Sequence, residues 1–205
     1  MSKQLKEPKL TIELIPSTCH YSNVRTTVKP IEWNKIRFLS YAAADNMCEV
    51  CKDTGKNQGY KHNVECHEIW EYDDVNHIQR LVKLISLCVH CHQVKHIGRA
   101  IAIGKEKQAH AQLRKVNNWT QEQVNEHVEQ SFIVYKERSQ HEWTLDLSIL
   151  TQEPYDLKID ADKKRKFVKK KFKRKRRKKP NLGVKRTVKA KHKKRSNKRP
   201  PRKKS

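Results

Sequence analysis

The chain has 205 residues and a formal net charge of +25 at pH 7. This length predicts one folded domain with at most an appendage. No stretch approaches the ~18 apolar residues of a membrane span, and the first ten residues lack the apolar core of a secretory signal. We therefore expect no membrane partner and an intracellular protein, cytoplasmic or nucleoid-associated as in bacteria and phages, or nuclear.

The N-terminal part predicts a short strand and then a helix. Residues 1–29 are interpreted as an extension in which apolar and polar residues alternate from Leu10 to Ile15, which is typical of a strand. Apolar residues recur at helical spacing from Pro30 to Ala44, and Pro30 suits the first turn of that helix.

The middle of the chain predicts a two-stranded unit followed by a helix. A polar loop follows Cys51, and Val64 to Tyr72 has the composition of a strand. A second apolar run, Leu84 to Cys88, leads into a helix that is expected to end near Gly98.

Two further helices and a closing strand are predicted before the end of the domain. The first helix covers roughly Lys105 to Val116. The second begins at Thr120, which forms a capping box with Gln123. Its apolar face consists of Val124, Val128, Phe132 and Tyr135. Alternation from Trp143 to Leu150 predicts the strand, so the domain is placed at 30–150 and the fold class is α+β.

The C-terminal part, 151–205, is interpreted as a linker and a disordered basic tail. Lys163 to Ser205 contains 26 of the 47 Lys and Arg and no acidic residue, which leaves 21 basic against 22 acidic residues in positions 1–162. Such a tail predicts salt-sensitive, sequence-independent binding to DNA or RNA. A solubility tail, a tether for an acidic partner and a nuclear import signal are the alternatives. The densest block contains Lys169, Lys170, Lys171, Lys173, Arg174, Lys175, Arg176, Arg177, Lys178 and Lys179.

Four of the six cysteines form two CxxC pairs, Cys48/Cys51 and Cys88/Cys91. A two-residue spacer on a tight turn directs both sulfurs to one point, and two such pairs complete a tetrahedral site that suits Zn²⁺. Clustered cysteines in a reducing compartment bind metal more often than they form disulfides. With no open coordination position, this zinc is expected to be structural.

A second group of ligands follows the second CxxC pair directly. His92 and His96 are four residues apart and therefore share one face of the predicted helix, where two imidazoles can hold one metal ion. A third group is expected from the strand that carries Glu65, Cys66, His67 and Glu68.

The order of these motifs resembles the HNH nuclease family, which has the ββα-metal fold. The matching residues are Cys48-x₂-Cys51, the strand with His67 and Glu68, a second strand, and Cys88-x₂-Cys91 running into His92-x₃-His96. The resemblance covers residues 48–98, about a quarter of the chain.

The resemblance implies metal-dependent hydrolysis of a phosphodiester bond, with DNA as the favoured substrate and RNA as the alternative. His92 and His96 would hold a catalytic divalent ion (Mg²⁺, Mn²⁺, Ni²⁺ or Zn²⁺). His67 would be the general base with Glu68 assisting. In the alternative alignment His67 is a metal ligand and Glu68 is the base.

The sequence departs from the family pattern in two places. Cys66 precedes His67, where the family has Asp or His. Lys83 occupies the position of the middle Asn, for which Asn76 is a candidate substitute. A catalytically inactive, zinc-stabilised DNA- or RNA-binding protein is therefore the alternative function. Trp70 and Tyr72 either stack on a base or belong to the core. The sequence does not determine the oligomeric state.

Overall fold

A three-stranded sheet with helices on both faces forms the part of the chain that the computed structural model describes, residues 7–159. The predicted α+β class is confirmed at this level. The predicted basic tail, Lys163 to Ser205 with its densest block from Lys169 to Lys179, lies outside the described residues. Within residues 7–159, no helix combines the length and apolarity that a membrane crossing needs.

An antiparallel hairpin is the centre of the fold. Strand β1 (Glu65–Asp73) pairs with β2 (Ile78–Leu87), and β3 (Thr144–Asp146) adds to β2 in parallel. The hairpin turn is held by the Asp73 carboxylate, which accepts hydrogen bonds from the backbone N–H groups of Val75 (3.1 Å) and Asn76 (2.9 Å). The second strand is longer than the predicted run, which began at Leu84.

The two faces of the hairpin carry different helices because side chains alternate along each strand. One apolar cluster joins Ile85 and Leu87 of β2 to the later helices, and the other joins Leu81 and Leu84 to the earlier ones. A register shift in the β1–β2 ladder between Ile69 and Trp70 lets the odd-numbered Leu81 share a face with the even-numbered Leu84. The helices are α1 (Val24–Thr27), α2 (Pro30–Ala43), α3 (Val89–Lys95), α4 (Ile97–Ala102), α5 (Glu106–Asn117) and α6 (Gln121–Arg138).

The N-terminal segment is part of the core, and the strand predicted from Leu10 to Ile15 is wrong. Leu10 and Ile12 are buried in the cluster that contains α3, α5 and α6. Backbone N–H groups of the segment donate to Asn117 Oδ1 (from Leu10, 3.0 Å), His127 Nε2 (from Ile12, 3.0 Å) and the Lys95 carbonyl (from Glu13, 3.1 Å). The alternation of apolar and polar residues reflects alternating burial of the side chains. The hydrogen-bond partners of the segment, however, come from helices and not from a neighbouring strand.

Two predicted elements in the second half are also corrected. The helix after the second CxxC pair does not continue to Gly98: His96 has φ −105° and ψ 49°, which ends α3 and begins α4. The predicted strand from Trp143 to Leu150 is only three residues long in the structure and is followed by a 3-10 helix, Ser148–Thr151. Beyond that helix, Leu157 packs in the core, so residues 151–159 do not form an unpacked linker.

The helix predicted from Thr120 is confirmed together with its cap. The Thr120 hydroxyl accepts from the Gln123 N–H (3.3 Å), and the Gln123 side chain accepts from the Thr120 N–H (2.9 Å). Val124 is fully buried, and Val128 and Phe132 pack on the same cluster. The cap and the apolar face therefore lie where the sequence places them.

We predict that Leu10→Ala lowers the free energy of unfolding by about 2–5 kcal/mol, because it removes a fully buried side chain and leaves a cavity. Urea denaturation followed by circular dichroism measures this. Val75→Ala, at an exposed position of the hairpin turn, is the control and should change stability by less than about 0.5 kcal/mol. Equal stability of the two variants would show that the N-terminal segment is not docked.

Candidate metal centres

The four cysteines of the CxxC pairs converge in space, as the spacing predicts. Their sulfur atoms all lie within 4.8 Å of one another, and Cys51 Sγ is 3.5 Å from Cys88 Sγ. Tetrahedral zinc with Zn–S bonds of about 2.3 Å requires sulfurs about 3.8 Å apart. The cluster therefore fits a metal ion such as zinc.

The first CxxC pair lies on a tight turn that the backbone closes itself. The Lys52 N–H donates to the Cys48 carbonyl (3.0 Å), and the Cys48 N–H donates to the Asp53 carbonyl (3.0 Å). Lys52 adopts φ +61°, which completes the reversal. The turn presents Cys48 and Cys51 to Cys88 and Cys91 at the start of α3.

Gln112 of α5 supports the cysteine cluster from the side. Its Nε2 donates to Cys91 Sγ at 3.2 Å, and the side chain is buried. An amide donor stabilises a thiolate, so this contact favours the charged, metal-binding form of Cys91.

Three histidines form a second cluster beside the cysteines. The ring of His67, from β1, lies 5.3 Å from the ring of His92 and 5.0 Å from that of His96, and the last two rings are 4.7 Å apart. One nitrogen of each ring lies within 4.8 Å of the others, so the three can hold one metal ion. Although α3 ends at His96, the His96 N–H still donates to the His92 carbonyl (3.2 Å), which keeps both rings on one side.

Two carboxylates fix the orientation of two of these rings. Glu65 Oε2 lies 2.5 Å from His92 Nδ1, and Glu13 Oε2 lies 3.0 Å from His67 Nε2. With those nitrogens donating to carboxylates, Nε2 of His92 and Nδ1 of His67 carry the lone pairs. Carboxylate partners of this kind fix the tautomer and make the imidazole a better ligand or base.

Burial favours the neutral forms of His67 and His96. It lowers the pKa of His67 and, with the nearby His92 and His67 rings, lowers the pKa of His96 to about 2. The pKa of Glu65 is lowered by the hydrogen bond from His92. The pKa of Glu13 is also lowered: burial opposes this, but the hydrogen bond from His67 and the charge of Lys95 outweigh it. Neutral imidazoles beside charged carboxylates are the forms that bind metal or accept a proton.

Glu68 and Cys66 are not brought to the histidine cluster, because they face the other side of β1. Glu68 Oε1 accepts from the Val24 N–H (3.0 Å) at the start of α1, and burial raises the pKa of Glu68 to about 7. Cys66 packs with the cluster that contains α2, and burial raises its pKa to about 12. Of the two residues named as candidate bases, the structure brings His67 to the other histidines.

Lys83, at the position of the family's middle Asn, and its candidate substitute Asn76 both lie away from the histidines. Lys83 Nζ pairs with Glu49 Oε2 at 2.9 Å on the surface. Asn76 Nδ2 donates to Asp73 Oδ2 (2.8 Å) in the hairpin turn, at the far end of β1 from His67. Asn76 therefore braces the turn between the strands.

The strand aromatics Trp70 and Tyr72 are packed side chains. Trp70 packs on the cluster that contains α2. The Tyr72 ring meets Trp143 edge to face at 4.9 Å, and the Arg138 guanidinium lies 4.5 Å above it. Their positions favour the core interpretation over base stacking.

Sequence reasoning missed Glu13, Lys95 and Gln112. Lys95 Nζ reaches Glu13 Oε1 (2.5 Å) and Thr11 Oγ1 (3.2 Å) in a buried position. No local pattern marks these contacts, because they join segments far apart in the chain. Glu65 was named only as one member of the strand; its position two residues before His67 is the signal that puts it on the same face.

No protein-family model matches this chain, and comparisons with curated proteins and with solved structures gave no match. The geometry of the two clusters is therefore the basis for a functional proposal.

We predict that Gln112→Ala weakens zinc binding at the four cysteines by about tenfold or more, because the Cys91 thiolate loses its amide donor. Competition with a chromophoric zinc chelator measures the affinity. Gln140→Ala, an exposed glutamine after α6, is the control and should leave affinity unchanged. Identical zinc affinities in the two variants would show that Gln112 does not support metal binding at the cysteines.

We predict strong coupling between Glu13 and Lys95, whose side chains form a largely buried ion pair. Glu13→Gln and Lys95→Met should each lower the free energy of unfolding by about 3 kcal/mol, because each leaves one buried charge without its partner. The double variant should lose less unfolding free energy than the sum of the losses in the two single variants. Urea denaturation of the wild type, the two single variants and the double variant completes this double-mutant cycle. Additive losses of unfolding free energy would contradict the coupling.

Proposed function

We propose that this protein is a metal-dependent endonuclease of the HNH type that hydrolyses phosphodiester bonds in DNA. The observation that carries the proposal is the convergence of His67 from β1 with His92 and His96 from α3, directly beside the four-cysteine cluster. A strand histidine facing two helix histidines provides both a proton acceptor and a metal-binding pair. In this proposal the nuclease core is residues 48–98.

His92 and His96 would hold the catalytic divalent ion, Mg²⁺, Mn²⁺, Ni²⁺ or Zn²⁺. When bound, such an ion stabilises negative charge on the phosphate and on the leaving oxygen. The chain prepares these ligands by keeping the buried His96 neutral and by holding His92 Nδ1 on Glu65. The buried His96 then does not have to lose a proton before it binds metal.

His67 would be the general base. With Nε2 donating to Glu13, Nδ1 is free to accept a proton from the attacking water. The Glu13 carboxylate would then stabilise the imidazolium that forms, and Lys95 keeps that carboxylate charged and in place. Glu68 has no part in this proposal, since it faces the other side of the sheet.

The four-cysteine cluster would hold a structural zinc ion. Four sulfur ligands leave no open coordination position, so the site would not perform chemistry. Its place at the start of α3 joins the turn before β1 to the helix that carries His92 and His96. Zinc binding would thereby fix the distance from those histidines to His67.

The basic tail would supply affinity for the DNA backbone without reading its sequence. This part of the proposal is supported by the sequence alone, since the tail lies outside the described residues. RNA remains the alternative polyanion for the tail.

A second candidate function is a zinc-stabilised DNA- or RNA-binding protein without catalysis. The observation that favours it is Lys83, which pairs with Glu49 at the position of the family's middle Asn. A nuclease should take up a second, exchangeable ion at His92 and His96, whereas this binding protein should hold zinc only. Metal analysis after Ni²⁺ loading distinguishes the two.

We predict that the wild-type protein nicks or linearises plasmid DNA with a divalent ion and that His67→Ala and His92→Ala each lower the rate by at least about a hundredfold. The first variant removes the proton acceptor and the second removes a metal ligand. A gel-based plasmid assay measures the rates.

The exposed His20 supplies the matched control, and His20→Ala should cleave at the wild-type rate. DNA affinity, measured in parallel, should be the same in all four proteins. If all of them bind DNA and RNA but none cleaves either with any of the four ions, the nuclease proposal is wrong and the binding protein is the better description.

A further inference from the structure

A surface cleft lies between α2 and the loop that precedes β1. It has a volume of about 530 Å³, within the range of roughly 300–1,000 Å³ typical of ligand sites. One wall is α2, with Arg37, Phe38 and Tyr41, and the other is the loop, with Lys56 and Lys61. None of these residues belongs to either metal centre.

The charged side chains of the cleft are mostly cationic. Arg37 donates through Nε to Asn34 Oδ1 (2.9 Å), which holds the guanidinium in place, and among residues 7–159 its Nη atoms have no hydrogen-bond partner. Neither Lys56 nor Lys61 pairs with a carboxylate in that part of the chain. Three cations that have no carboxylate partner among residues 7–159 suit an anionic ligand with several phosphates.

One exposed and one half-buried aromatic ring, those of Phe38 and Tyr41, lie among these cations. The Phe38 side chain is 54% exposed although it is a large apolar group, and its ring meets Tyr41 edge to face at 6.0 Å. The Arg37 guanidinium lies 4.4 Å above the Phe38 ring. Rings presented beside unpaired cations form the combination that binds unpaired bases together with their backbone.

One residue of the cleft lining, Glu65, contacts the histidine cluster. Glu65 is the single acidic residue of the lining and contacts His92 Nδ1 (2.5 Å) on one side and His62 Nε2 (3.2 Å) on the other. A ligand that contacts Glu65 in the cleft is therefore separated from His92 only by the Glu65 side chain.

We propose that this cleft binds an unpaired segment of the DNA strand next to the bond that is cut. The proposal rests on the nuclease function above and adds to it the path of the substrate. Arg37, Lys56 and Lys61 contact phosphates, and Phe38 and Tyr41 stack on bases. Bases in a duplex already stack on one another and have no free face, so the aromatic rings select an unpaired strand.

The test is photo-crosslinking of the full-length wild-type protein to a short single-stranded DNA that contains 5-iodo-deoxyuridine, without added divalent ion. Mass spectrometry of the digested complex locates the attachment sites. We expect crosslinks at Phe38 or Tyr41. Unlabelled single-stranded DNA should compete at least about tenfold better than duplex of the same sequence for these crosslinks. Crosslinks confined to Lys163–Ser205 would overturn the proposal, as would equal competition by duplex or better competition by RNA.

Ring variants test the attachment sites themselves, and charge variants test the cleft with both rings in place. Phe38→Ala with Tyr41→Ala should lower the yield of protein–DNA crosslinks within residues 7–159 about tenfold, whereas Tyr21→Ala, an exposed ring elsewhere, should not. Arg37→Glu with Lys61→Glu should lower that yield more than the matched exposed pair Lys107→Glu with Lys136→Glu. Circular dichroism establishes that each variant is folded, and equal yields in the paired variants would overturn the proposal.

The possible outcomes distinguish failure of the cleft proposal from failure of the nuclease proposal. Crosslinks in the cleft by a protein that never cleaves DNA support the cleft and remove the nuclease function. Cleavage without crosslinks in the cleft keeps the nuclease and overturns the substrate path.

Discussion

Both candidate metal centres depend on one short helix, because α3 and the residues that flank it carry side chains of each. Cys88 and Cys91 lie at its start, and His92 and His96 follow within the next five residues. Any contact that fixes the positions of the cysteines therefore also restricts the positions of the histidines, which follow within a few residues of the chain. The Gln112 amide, which holds Cys91, acts on both centres for the same reason. Metal binding at the cysteines and geometry at the histidines are thus coupled through a rigid element.

Alternation along β1 divides the chemistry of that strand between two environments. Glu65 and His67 face α3, where polar groups and charges are paired with one another. Cys66 and Glu68 face α1 and α2, where the partners are backbone N–H groups and apolar side chains. A shift of one residue in the β1–β2 register would exchange the two sets, so the pairing of His67 with Ile85 specifies the site as strictly as any ligand does.

Features that depend on neighbouring residues were predictable, and features that depend on distant segments were not. The Thr120 cap, the two CxxC turns and the shared face of His92 and His96 follow from spacings of two to four residues, and the structure contains all of them. Glu13 is different, because it meets a histidine 54 positions away and no spacing encodes that. The break of α3 at His96 was missed because its sequence contains neither Gly nor Pro at that point.

The docking of the N-terminal segment has a consequence for the order of folding. Leu10 bonds to Asn117 and Ile12 to His127, at separations of 107 and 115 residues, so this segment is synthesised well before the ends of α5 and α6 that hold it. Contacts of such high contact order form late, since a long loop must close before they contribute. Glu13 arrives with that segment. In a nascent chain His67 would therefore lack its Glu13 partner. The complete histidine cluster, with its carboxylates, would form only after α6 has been synthesised.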